Sequence, residues 1–166
     1  GGTTVNYIAK WNGTSWSAFG TGMNNQVYAL ALDSSGNLYA GGNFTTAGGT
    51  SANYIAKWNG TSWSAFGTGM NSTVSALALD SSGNLYAGGA FTTAGGTTVN
   101  YIAKWNGTSW SAFGTGMNNQ VYALALDSSG NLYAGGNFTT AGGTSANYIA
   151  KWNGTSWSAF GTGMNS

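Results

Sequence analysis

A nineteen-residue segment, NYIAKWNGTSWSAFGTGMN, starts at Asn6 and starts again at Asn53, Asn100 and Asn147, always 47 residues on. A chain that repeats itself this faithfully folds as a row of equivalent units, each of which buries its apolar faces against copies of itself. A second period lies above the first: residues 1–72 recur unchanged as residues 95–166, 94 residues later. Two unit types therefore alternate. Val5, Tyr28 and Asn43 in one phase become Ala52, Ser75 and Ala90 in the next, and return as Val99, Tyr122 and Asn137.

Within one unit the apolar pattern spells four short strands. Val27 to Leu32 is apolar on both faces, as a strand sandwiched between neighbouring sheets must be. Asp33-Ser34-Ser35-Gly36-Asn37 supplies a turn, with an Asp able to bond its own backbone two residues on. A second strand runs from Leu38 to Phe44, its glycines marking places where backbones approach closely. Thr45 to Ala52 reads as a loop. A third strand covers Asn53–Trp58, Asn59-Gly60 is a strong hairpin turn, and Trp63–Phe66 forms the fourth strand. No stretch carries a 3.6-residue apolar period over helical length. Four strands in a 47-residue repeat is the size of one β-propeller blade. The expected fold is all-β, a propeller of four-stranded antiparallel blades.

The patterns VYALALDSSGNLYAGGNF and YIAKWNGTSWSAFG resemble tandem propeller repeats of bacterial surface and secreted proteins. The blade length is similar to that of tachylectin-2-type lectin propellers. The resemblance spans the chain and implies the fold; for a natural protein it implies an extracellular or cell-surface setting. Function does not follow from it, because propellers host enzymes, lectins and scaffolds alike.

With the Val27-type strand first, the chain divides into a half blade at 1–25, carrying only third and fourth strands, and blades at 26–72, 73–119 and 120–166. A ring needs about four blades to close. Three and a half blades leave apolar end faces and strand edges uncovered, which calls for other copies of the chain. Two chains supply about seven repeat lengths (2 × 166/47). A twofold ring needs an even number of blade positions, so eight positions with two partial blades, or six with two displaced hairpins, are the arrangements expected for a homodimer.

The chemistry of the chain is sparse. It has no His, Cys or Glu, and its carboxylates are Asp33, Asp80 and Asp127, one at the same turn of each full unit. That repertoire lacks the commonest general base and metal ligand, offers no thiolate, and gives Ser and Thr no base to activate them. The Asp-Ser-Ser-Gly-Asn turn lacks the spaced acidic ligands of a calcium loop, and the Gly-Gly pairs open no helix that could cradle a phosphate. No catalytic residue, cofactor or metal site is expected. Only 4% of residues are charged, against about 25% in an average soluble domain. The four lysines, Lys10, Lys57, Lys104 and Lys151, stand singly in third strands, so no basic stripe is offered to nucleic acid. No apolar run reaches the length of a membrane span, and neither a membrane nor a nucleic acid is expected as partner.

The Trp pairs Trp11/Trp16, Trp58/Trp63, Trp105/Trp110 and Trp152/Trp157 flank each Asn-Gly turn. Rings beside amide side chains can grip the apolar face of a sugar; the competing reading is that they fill the space between blades. Asn12, Asn59, Asn106 and Asn153 begin Asn-Gly-Thr glycosylation triplets, but the turn itself demands Asn-Gly. Two functions are thus in view. One is a non-catalytic repeat scaffold, designed or freshly amplified, that closes by association with itself. The alternative is a multivalent carbohydrate-binding, lectin-like propeller with one weak glycan site per blade at the Trp pairs. The alternation of Tyr28/Ser75/Tyr122 argues against a site built in every blade.

Overall fold

The computed structural model describes residues 2 and 4–165, and every element in it is a strand or a turn. Strands β1 (Ala9–Trp11) and β2 (Trp16–Ala18) form a lone hairpin. The first complete blade orders β3 (Val27–Leu32), β4 (Leu38–Gly42), β7 (Ile55–Trp58) and β8 (Trp63–Ala65) side by side. The second does the same with β9 (Val74–Leu79), β10 (Leu85–Gly89), β13 (Ile102–Trp105) and β14 (Trp110–Ala112). The third uses β15 (Val121–Leu126), β16 (Leu132–Gly136), β19 (Ile149–Trp152) and β20 (Trp157–Ala159). Neighbours in each blade are antiparallel, and the first strands β3, β9 and β15 lie next to one another from blade to blade.

The register repeats from blade to blade. Leu38 pairs with Trp58 and Tyr39 with Lys57 in the first blade; Leu85 pairs with Trp105 and Tyr86 with Lys104 in the second. Each Asp turn is closed by side-chain bonds. Asp80 Oδ1 accepts the Ser82 and Asn84 amides at 2.9 Å each, and Oδ2 accepts Asn84 Nδ2 at 2.7 Å and the Tyr86 hydroxyl at 2.9 Å. At the outer hairpin, Asn59 Oδ1 accepts the Thr61 and Ser62 amides, and Gly60 sits at φ 99°, where a side chain is strained. The turn uses the Asn oxygen itself, which accounts for Asn-Gly at this place in every unit.

Two details differ from the sequence expectation. The second strand ends at Gly42 and the third begins at Ile55, because Tyr54 adopts φ 66° and turns the chain out of the strand. Both backbone groups of Tyr54 remain bonded there: its N–H donates to Phe44 and its carbonyl accepts from Gly42. The segment expected as a loop, 45–52, instead holds a small hairpin, β5 (Thr46–Ala47) with β6 (Thr50–Ser51), turned by Gly48-Gly49. The hairpin recurs as β11 (Thr93–Ala94) with β12 (Thr97–Thr98), and as β17 (Thr140–Ala141) with β18 (Thr144–Ser145).

The core is not inside a blade but between blades. Tyr39, Ile55 and Phe66 of the first blade pack with Val74, Leu85, Phe91 and Trp110 of the second. Tyr86, Ile102 and Phe113 of the second meet Val121, Leu132, Phe138 and Trp157 of the third in the same way. Polar stitches cross each seam. Asn71, in the link after the first blade, accepts the Thr92 and Thr93 amides of the next blade at 2.9 and 3.0 Å. Asn24 and Asn118 repeat this clamp on Thr45/Thr46 and Thr139/Thr140.

Candidate interface at the two ends of the blade stack

Every seam is built from the same aromatic set, so the environment of each copy tells whether a neighbour is present. Phe66 meets Trp105 edge-on at 5.3 Å and 87°, and Phe113 meets Trp152 at 5.2 Å and 87°. Phe19 of the half blade meets Trp58 at 5.6 Å and 90°. Trp63 Nε1 donates to the Phe19 carbonyl at 3.0 Å and Trp157 Nε1 to that of Phe113 at 3.4 Å; Trp110 Nε1 is buried without a partner.

This settles where the candidate glycan-contacting residues lie. Trp63, Trp110 and Trp157 are buried in seams, at 6–7% exposure. Trp58, Trp105 and Trp152 are partly buried, each under the edge of a Phe from the preceding blade. Trp11 and Trp16, 49% and 48% exposed, present their rings, and no Phe of another blade lies over them among the described residues.

The same contrast runs through the other seam residues. Phe66 and Phe113 are 5% and 4% exposed, but Phe160 is 43% exposed. Met23, Met70 and Met117 are 3–4% exposed and Met164 is 56%. One end of the stack thus shows an open Trp pair, and the other shows the Phe that covers such a pair everywhere else.

The carboxylates are spent on their turns. Asp80 and Asp127 line one shallow cleft between the second and third blades, yet each is tied to its own Asn and Tyr. At Asp80, burial pushes the carboxyl upward, but the bonds from Asn84, Tyr86 and Ser82 outweigh it and the net shift is downward. The Asn131 side chain and backbone hold Asp127 down to about 2. A carboxyl kept ionised in this way is a poor proton donor. Burial, helped by the bond to Asp80, pushes the Tyr86 phenol up to about 12. Lys57, Lys104 and Lys151 lie over the rings of Tyr39, Tyr86 and Tyr133 at 5.2–5.5 Å.

Four-stranded antiparallel blades repeated around adjacent first strands, with their core in the seams, define a β-propeller of tandem repeats. A family model described as the Rax2 C-terminal beta propeller domain matches residues 9–166, and the chain belongs to that family. No curated protein matches it.

Proposed function

We propose that the chain is a non-catalytic propeller scaffold that completes itself by association with other copies. The observation that carries this reading is the end-to-end complementarity: Phe160 at 43% exposure and Trp11/Trp16 at 49% and 48% are counterparts of residues only 4–7% exposed, or covered by a Phe edge, inside the stack. The contact is head-to-tail, so it closes a ring if the rotation per blade allows and builds a filament if it does not. Burial of Phe160 and two half-exposed Trp rings favours association by a few kcal/mol, at about 25 cal/mol per Å². The absence of a freely titrating carboxyl pair supports a structural rather than a catalytic role.

The test is sedimentation of the unmodified chain beside Phe160→Asp. Position 160 is exposed, so the variant is expected to fold. The reading requires an assembled wild type and a variant at 16.8 kDa. A variant that assembles as the wild type does removes this interface.

A further inference from the structure

The two unit types are alike in the Asp turn, the Asn-Gly turn and the second, third and fourth strands, and they differ at one end of the blade. The differences fall at the start of the first strand, just after the second strand, and at the end of the small hairpin. Val27 pairs with Gly42 and Gly41 with Ile55, so these three places are neighbours in space. Here a side-chain bond joins the first two complete blades. The Thr73 hydroxyl of the second donates to Asn43 Oδ1 of the first at 3.2 Å. In the next seam the counterparts of Asn43 and Thr73 are Ala90 and Gln120, so the longer side chain has moved to the following blade.

A second contrast follows the same alternation. Val99, 1% exposed, belongs to the core between the first and second blades; Ala146, 2% exposed, holds the equivalent place between the second and third. In the Val seam Trp110 Nε1 is buried without a partner. In the two Ala seams, those of Ala52 and Ala146, Trp63 and Trp157 donate to a Phe carbonyl. Asn100, next to Val99, takes φ 50°, whereas its counterparts Asn53 and Asn147 stay outside the left-handed region. The chain therefore builds two kinds of seam in turn.

We infer that these positions form a pairing code between blades. The side of an Asn43-type blade that faces its successor selects a Thr73-type blade, and the same side of an Ala90-type blade selects a Gln120-type blade. Side-chain size explains the preference. Asn with Thr places seven side-chain heavy atoms across the seam, and Ala with Gln places six, so both seams are filled to a similar extent. Two like blades in succession would place nine (Asn with Gln) or four (Ala with Thr). The first overfills a close-packed contact; the second leaves a void and a Thr hydroxyl without its acceptor. The partner each seam recognises is thus a blade of the opposite unit type, in this chain or in another copy of the repeat. A slip by one unit of 47 residues meets a misfit at every seam, and a slip by 94 residues meets none. Strictly identical blades would have no such safeguard against errors of register.

Both seams join complete blades of one chain, so the code stands or falls separately from self-association. Two double-substitution cycles in the full chain test it, read as urea midpoints at constant m-value. In the seam between the second and third blades, Ala90→Asn and Gln120→Thr each create a like pairing, and together they reproduce the Asn43/Thr73 pair. In the seam before it, Asn43→Ala and Thr73→Gln do the reverse. All four positions are only partly buried, so the variants are expected to fold. Each single substitution is expected to lower the midpoint and each double to recover it, with a coupling of at least about fivefold in the folding equilibrium constant. Residues that merely stabilised their own blades would leave each double as unstable as its two singles combined. Additive effects in either cycle, or single substitutions without effect, overturn the inference.

Discussion

Three glycines in equivalent positions test the seam geometry, because the same substitution meets a packed seam at two of them and open space at the third. A Cβ placed on Gly41 would lie 2.5 Å from Val74 Cγ1, and one on Gly88 would lie 2.6 Å from Val121 Cγ1. Ordinary carbon contacts are about 3.5–4 Å, so the Val or its strand must withdraw by roughly 1 Å. Overpacking of this kind costs about 1–3 kcal/mol, partly offset by the 0.4–1 kcal/mol or so that Gly→Ala gains through a less mobile unfolded chain. Gly88→Ala is therefore expected to destabilise by about 1–2 kcal/mol. At Gly135 nothing stands closer than Ala123 Cβ at 3.8 Å, and φ is not in the left-handed region. Gly135→Ala is expected to be neutral or to stabilise by up to about 1 kcal/mol. A partner's half blade carries only strands of the β1–β2 kind, so end-to-end association leaves this prediction unchanged. The internal control is Gly136→Ala, whose Cβ would run into the Gln120 carbonyl of its own blade and so destabilises with or without a neighbour. Urea unfolding midpoints at constant m-value are the assay. A Gly135→Ala as damaging as Gly88→Ala would refute the claim that this face is open.

Other consequences follow from the turns and seams. Asp33 and Asp80 have carboxyls lowered from 3.8, and Asp127 lies near 2, so their stabilising effect is present above about pH 4 and is lost as pH falls through the folded values. Tyr86, raised from 10.0 to about 12, has the opposite sense: its contribution is full below pH 10 and is lost above it. With no His or Cys in the chain, unfolding free energy is expected to be flat from about pH 5 to 9 in a urea series; a step near pH 6.5 would contradict this. Asp80→Ala removes the acceptor of four bonds and is expected to cost about 1–3 kcal/mol, measured by thermal or urea unfolding. Phe113→Ala, at 4% exposure, should cost about 3–5 kcal/mol in the same assay. Phe160→Ala should cost far less in a dilute single copy, and should show its larger effect as a lost concentration dependence.

Most of this architecture was legible because the repeat reports each feature several times. Alternating and continuous apolar runs placed all four strands, and the Asp and Asn-Gly turns were readable from residue chemistry alone. The strand ends were not, because a Tyr at positive φ is a tertiary outcome: the bonds from Tyr54 to Phe44 and from Gly42 hold it there. The small hairpin at β5–β6 was missed although Gly48-Gly49 between Thr-Ala and Thr-Ser is a turn signal; two-residue strands are too short for periodicity to show. The Trp pairs look alike in sequence, and only their position in the stack separates exposed Trp11 from buried Trp63. Residue type cannot carry that distinction, since it depends on whether a blade stands in front.

The central proposal is that the chain associates with other copies of itself. Its most direct test is the absolute mass of the unmodified chain in solution, by light scattering across a hundredfold concentration range. The account predicts a discrete multiple of 16.8 kDa, two copies being the simplest closed arrangement, that persists on dilution. A constant 16.8 kDa at every concentration contradicts it.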